Sequence, residues 1–255
     1  MITLETKDSV RFVTLNRPDR HNAFDDGLIA QLTQAFRDVE GGRALVLQST
    51  GKSFSAGGDL AWMKRMAVNT PDENLTDALA LSGLMEAIDT CPAPVIGMVQ
   101  GAAYGGGVGL VACCDLVVAA DSASFCLSEV KLGLIPAAIS PYVVRAMGGR
   151  AARRYALTAE VFTAATALAC GLVHEVTSAD QMEAVRDAWL AKLLGNGPKA
   201  MASAKALIRR ASDDPLDDAL RAWTAGQIAS IRASDEGKEG VSAFLEKRKP
   251  NWVEE

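Results

Sequence analysis

Pro94-Val95-Ile96-Gly97-Met98-Val99-Gln100-Gly101-Ala102-Ala103-Tyr104-Gly105-Gly106-Gly107-Val108-Gly109-Leu110-Val111-Ala112-Cys113-Cys114-Asp115-Leu116-Val117-Val118-Ala119-Ala120 is the stretch that decides the fold class. Pro94–Val99 is a short apolar run and reads as a strand. A glycine loop follows, then a helix over Gly107–Cys114 and a second strand over Asp115–Ala120. The uncharged run from Thr90 to Cys114 has the length of a membrane span. Pro92, Pro94 and six glycines, three of them consecutive at Gly105–Gly107, argue instead for strand, loop and helix start.

Upstream the same alternation recurs. Ile2–Glu5 and Val10–Leu15 read as two alternating strands. Residues 26–40 read as a helix with Leu28, Ile29, Leu32, Phe36 and Val39 on one face. Ala44–Gln48 is a buried strand, Ser49–Gly58 a loop, and Asp59 opens a helix. Pro71 opens another that runs to about Thr90, with Asp72 and Glu73 in its first turn. Strands alternating with helices place the chain in the α/β class. From Met182 onward the pattern is helical, with Leu207, Ile208, Leu216, Leu220, Trp223, Ile228 and Ile231 at helical spacings and no strand evident. Gly195-Asn196-Gly197-Pro198 marks the boundary between a core, 1–195, and a C-terminal helical region, 196–255.

Composition narrows the function classes. The chain has 255 residues, 49% of them hydrophobic and 22% charged, which suits a packed globular chain rather than a disordered one. A net charge of −5 argues against nucleic acid as a partner. The five cysteines (Cys91, Cys113, Cys114, Cys126 and Cys170) form no CxxC, and His21 and His174 are the only histidines, so no metal site is expected. The cysteines read as reduced, buried thiols. Met1–Asp8 has no basic-then-apolar leader pattern, and a cytoplasmic protein with no membrane contact is expected.

Two glycine loops, Ala56-Gly57-Gly58-Asp59 and Tyr104-Gly105-Gly106-Gly107, each follow a strand reading and precede a helix. Peptide N–H groups at a helix start are unpaired and attract negative charge. One such loop suits a phosphate, and two converging loops suit a single oxyanion. Either loop alone equally serves a tight turn. No GxxxxGK[ST], strand-following GxGxxG or GxSxG motif is present. The third feature is Glu129, within Ser128-Glu129-Val130-Lys131-Leu132-Gly133-Leu134-Ile135-Pro136. A carboxylate between apolar segments has its pKa raised toward acid–base work. The alternative is a surface glutamate paired with Lys131.

Five segments in this order resemble the crotonase (enoyl-CoA hydratase/isomerase) superfamily: Leu15-Asn16-Arg17-Pro18 with Asn22-Ala23-Phe24, Phe54–Leu60, Gly101–Gly107, Cys114-Asp115-Leu116 and Glu129–Pro136. The tail Ser234–Gly240 followed by Ala243–Arg248 resembles the family's C-terminal signature. The resemblance implies a crotonase-like spiral of ββα units with a C-terminal helical trimerisation region, assembled as trimers or dimers of trimers. It implies an acyl-CoA substrate and no separate cofactor, coenzyme A being part of the substrate. The N–H groups of Gly58 and Gly106 match the oxyanion hole, and Glu129 matches one of two catalytic glutamates. Arg20, His21 and Ala23 match the segment lining the pantetheine and phosphate region, and Ala56, Asp59 and Leu60 flank the adenine and thioester channel. Tyr104, Gly105 and Gly109 join the substrate positions. Phe244 and Lys247 match positions that reach a CoA on a neighbouring subunit. His21 reads equally as a plain loop residue, Asp59 as a helix cap, and Lys247 as a solvated side chain.

The second family glutamate falls at Gly109 here. Its loss is expected to remove a negative charge and open space beside the substrate β carbon. The runs Tyr104–Leu110 and Glu129–Ala137 with Ile139–Val144 resemble bacterial hydratases for methylglutaconyl-CoA and for related carboxylated terpenoid thioesters. The expected activity is therefore hydration of a β-branched, carboxylated enoyl-CoA in leucine, isovalerate or acyclic terpene breakdown. The alternatives are a general hydratase, a Δ3–Δ2 enoyl-CoA isomerase, or a catalytically weak acyl-CoA-binding paralogue. Arg145, Lys131 and His174 are candidates to face a substrate carboxylate, and Ser140 and Tyr142 candidates to donate hydrogen bonds.

Overall fold

A computed structural model describes residues 1–39 and 41–253. The strands are β1 (Ile2–Lys7), β2 (Val10–Leu15), β3 (Ala44–Ser49), β4 (Ser53–Ser55), β5 (Val95–Val99), β6 (Ala102–Tyr104), β7 (Leu116–Ala120), β8 (Ser124–Cys126), β9 (Phe162–Thr163) and β10 (Glu175–Thr177). The helices are α1 (Asp26–Arg37), α2 (Leu60–Met66), α3 (Pro71–Asp89), α4 (Gly106–Cys113), α5 (Ser140–Thr158), α6 (Ala164–Ala169), α7 (Met182–Gly195), α8 (Pro198–Asp213), α9 (Asp218–Ala233) and α10 (Asp235–Glu246).

The strands sort into two sheets. Six form one in the order β1-β2-β3-β5-β7-β10, and four form the other in the order β4-β6-β8-β9. The pairs β3/β4, β5/β6 and β7/β8 each give one strand to the large sheet, then one to the small sheet, before the chain turns into helix. That repetition is a spiral of ββα turns. The central strands β3, β5 and β7 are parallel and nearly fully buried, which explains why they read as continuous apolar runs rather than alternating ones. The small-sheet strands β4, β6 and β8 have three residues each and lie in stretches the sequence reads as loops or leaves unassigned.

Local chemistry sets the helix starts. Asp25 caps α1 by accepting from the Leu28 N–H, and Thr70 with Glu73 forms a reciprocal capping box ahead of Pro71 on α3. α1 ends at Arg37, short of the predicted 40, and position 40 lies outside the described residues. After α7 the chain turns at Asn196-Gly197, and Arg43 from the start of β3 clamps this junction by donating to the Leu194, Asn196 and Trp252 carbonyls. Glu236 on α10 accepts from the Lys199 and Ala200 N–H groups at the start of α8, which ties α10 to α8. The C-terminal helices keep many apolar side chains exposed, among them Ile208, Phe244 and Leu245. Among the described residues no helix is long and apolar enough to cross a membrane, and no cluster of metal-ligating side chains occurs. All five cysteines are free thiols, four buried and Cys170 half-buried.

Candidate active site

The first glycine loop is held by the segment before α1. The Phe24 N–H donates to the Gly57 carbonyl at 2.6 Å and the Asp59 N–H donates to the Phe24 carbonyl at 2.7 Å, making a parallel bridge between Phe24 and Gly58. In extended chain the flanking groups point to one side and the central residue's own N–H to the other. Gly58 therefore presents its N–H away from Phe24. Asn22 fixes this segment from below. It is fully buried, its amide donates to the Thr50 and Ser53 carbonyls at 2.9 Å each, and its oxygen accepts from the Arg17 N–H at 2.8 Å.

The second loop places Gly106 as the first residue of α4, where an N–H has no partner within its own helix. Gly105 precedes it with φ 51°, a left-handed conformation that glycine adopts without strain. A side chain at Gly105 would also lie 3.2 Å from Glu129 Oε1. The Glu129 carboxylate thus sits directly over the second loop. The two loops touch: a side chain on Gly57, itself at φ 86°, would begin 3.0 Å from the Tyr104 carbonyl oxygen. Two unpaired N–H groups and one carboxylate are brought together from three turns of the spiral.

Glu129 differs from the other carboxylates here. Its Oε2 is buried and has no hydrogen-bond partner among the described residues. Burial pushes its pKa above the ordinary glutamate value, and no cation offsets that shift. The sequence alternative, a surface pair with Lys131, is not what the geometry shows.

A cleft of about 740 Å³ opens beside this centre. It is lined by the predicted residues Arg20, His21, Ala23, Ala56, Gly58, Asp59 and Leu60, together with Lys64, Ser128, Lys131 and Leu132. Lys64 is the basic lining residue that sequence reasoning missed, alongside Asp19, Ala61, Met63, Ser128 and Leu132. Its signal was available, since it lies on the helix opened by Asp59, one turn beyond Leu60. Asp59 also has a structural part. Its carboxylate caps α2 through the Ala61 and Trp62 N–H groups and pairs with Arg20 at 3.1 Å and Arg17 at 3.7 Å. Burial works to raise its pKa, but the Ala61 N–H, Arg20 and the Trp62 N–H outweigh burial and hold the carboxyl below its usual value. His21 Nδ1 lies 3.0 Å from Ser53 Oγ, so the ring also braces the loop.

Other predicted positions lie elsewhere. The Tyr104 hydroxyl turns to Ser124 Oγ, 3.4 Å away across the small sheet. Phe244 and Lys247, at the end of α10, do not line the cleft. Gly109 corrects an expectation. The space beside it is not open, because a side chain there would begin 2.2 Å from Ile139 Cγ2 and 3.2 Å from Met85 Sδ. Arg145 and His174 belong to a separate cavity of about 540 Å³, between α8 and the core. There Arg145 pairs with Asp89 and Asp213, and His174 Nδ1 accepts from the Val117 N–H at 3.0 Å. Of the three candidates for a substrate carboxylate, Lys131 alone lines the cleft.

Two glycine loops, a desolvated carboxylate and an adjoining cleft lined by Arg20, Lys64 and Lys131 lie side by side. Comparison with known proteins gives the family. The family model described as enoyl-CoA hydratase/isomerase matches residues 5–255. An enoyl-CoA hydratase of Shewanella pealeana has a crystal structure that superposes with a TM-score of 0.94, at 46% identity, covering 98% of this chain and 95% of that one. Pseudomonas aeruginosa AtuE superposes with a TM-score of 0.94, at 38% identity and 99% coverage of both chains. Enoyl-CoA hydratase ACTT6 of Alternaria alternata is 37% identical over 94% of this chain and 80% of its own length. The chain belongs to the enoyl-CoA hydratase/isomerase family, and it is an enzyme of that lyase type.

Proposed function

We propose that the protein adds water across the conjugated double bond of an enoyl-CoA, with Glu129 as the proton-transfer group. The observation that carries this reading is the Glu129 carboxylate, whose Oε1 lies over the Gly105 backbone and whose buried Oε2 has no partner among the described residues. As water attacks the β carbon, electron density moves through the alkene to the thioester oxygen. The Gly58 and Gly106 N–H groups receive that charge, each contributing about 3 kcal/mol to the transition state. Glu129 accepts the proton from the attacking water and returns one to the α carbon, so it ends as it began. A raised pKa suits both halves of that exchange.

The substrate class is a β-branched acyl group with a distal carboxylate, such as 3-methylglutaconyl-CoA, from leucine, isovalerate or acyclic terpene breakdown. The likeness of the Tyr104–Leu110 and Glu129–Val144 runs supports it, and so does Lys131 at the cleft wall as a counter-ion. Open space at Gly109 no longer supports it. A second reading, Δ3–Δ2 isomerisation, gains from the same geometry, because one carboxylate in an apolar wall can move a proton between two carbons without using water. The exposed apolar side chains of α8–α10 support self-association as a trimer or a pair of trimers in the cytoplasm, with Phe244 and Lys247 reaching a neighbour's CoA.

Turnover of crotonyl-CoA, 3-methylglutaconyl-CoA and a carboxylated terpenoid enoyl-CoA tests the reading. Loss of enoyl-thioester absorbance with the mass gain of one water, fastest on the carboxylated branched thioesters, is expected. A shifted alkene at unchanged mass selects isomerisation. A preference for crotonyl-CoA removes the substrate class. Light scattering on the purified protein gives the oligomeric state.

A further inference from the structure

We infer that Ile139 is a positioning residue for Glu129, filling the space left by Gly109 and anchoring the segment that carries the carboxylate. The inference rests on Glu129 being the proton-transfer group. From residue 128 to residue 138 not one residue is buried, and the segment is pinned between Leu127 and Ile139, each 2% exposed. Its largest apolar side chains give little hold, since Leu132, Leu134 and Ile135 are all more than half exposed and Val130, Pro136 and Ala138 are only half-buried. What order it has is passed along its backbone. The Leu134 N–H donates to the Glu129 carbonyl at 3.1 Å, and the Ser140 N–H donates to the Pro136 carbonyl at 2.9 Å. Ile139 stands at the N-terminal cap of α5, and its own carbonyl accepts from the Val143 N–H. Its side chain lies where a β-carbon on Gly109 would fall, with Ile139 Cγ2 at 2.2 Å and Cβ at 2.8 Å from that point.

α4 supplies the oxyanion donor at Gly106, and Gly109 lies one turn further along the same helix. Ile139 therefore links the helix that holds the oxyanion to the loop that holds the carboxylate. The missing side chain at Gly109 is then a socket and not a vacancy. Around Glu129 itself, Lys131 shares its turn and the Cys126 thiol ends β8, while the first turn of α4 brings no ionisable group and the start of α5 brings the Tyr142 phenol.

The test compares Ile139→Gly, Gly109→Ala, the double variant and Ile139→Val, with kcat and KM measured on crotonyl-CoA and 3-methylglutaconyl-CoA. Each of the first two variants is expected to lower kcat on the order of 10- to 100-fold, as misplacement of about 1 Å does. KM is expected to stay put, because other residues line the CoA cleft. Gly109→Ala combined with Ile139→Gly refills the socket from the other side and is expected to recover most of the lost kcat. Ile139→Val keeps Cγ2 and should stay near wild type. If Ile139→Gly does not fold, Ile139→Ala takes its place. Wild-type kcat in Ile139→Gly overturns the inference, as does a loss confined to Tm or KM, or a double variant no better than the singles. Glu129→Gln measured alongside separates the two readings: if it is inactive while Gly109→Ala is normal, only the positioning role fails. If Glu129→Gln turns over normally, both fail.

Discussion

Asp115, just ahead of β7, and Glu129, just after β8, are carboxylates on the same turn of the spiral, and burial pushes both of their pKa values up. Asp115 is engaged through one oxygen. Its Oδ2 accepts from Lys205 Nζ at 2.6 Å and from the Val95 N–H at 2.8 Å, pinning α8 to the large sheet beside the second cavity. Glu129 has a buried oxygen with no partner among the described residues. Desolvation alone therefore does not mark a reactive carboxylate. A buried charge with its hydrogen bonds filled is a clamp, and one left unfilled is free to exchange a proton.

The sharpest way to break that comparison is Glu129→Gln. It should lower turnover by roughly 10²- to 10⁴-fold while CoA binding, followed by calorimetry, is kept. The same variant reports on stability. A raised folded-state pKa means that the native protein holds its proton more tightly than the unfolded chain. That contribution is present below the ordinary carboxylate value of 4.5 and is lost as pH rises through the folded value. The fall of Tm between pH 4.5 and the raised folded value should be flatter in Glu129→Gln, and an unchanged profile would show that Glu129 is not desolvated.

Lys205→Met should do the opposite: little change in kcat, but a loss of about 2 kcal/mol in denaturant unfolding. That is below the roughly 3–5 kcal/mol of a fully buried pair, because the two side chains are 14% and 28% exposed. Asp59→Ala should cost about 1–2 kcal/mol from the lost α2 cap, and raise KM by releasing Arg20 at the cleft. Thr70→Ala, which breaks the exposed capping box of α3, should lower Tm by about 2 °C with no effect on turnover, as expected for a cap remote from both carboxylates.

Much of this was legible in the sequence, and the reason is local. Val95–Val99 and Leu116–Ala120 are long enough to show an apolar run, and Asp59 and Thr70-Pro71 are strong helix starts. The small sheet was hidden because strands of three residues, such as Ala102–Tyr104, are too short to display a period. α5 was hidden too, since its nineteen residues include a break at Gly148 and a mostly polar surface. At the site, the two glycine loops and Glu129 stand out by residue type. The filling of Gly109 by Ile139 does not, because it joins positions thirty residues apart whose contact exists only after folding.

The pairing of β4 with β6 has one more effect on the chemistry. Gly58 comes three residues after β4 and Gly106 two residues after β6, and these are neighbouring parallel strands spaced about 4.8 Å apart. That spacing is a property of the polypeptide and not of any side chain. The proposed oxyanion seat thus rests on backbone pairing, and substrate range is open to change in the parts that line the cleft, namely α2 and the 128–139 segment.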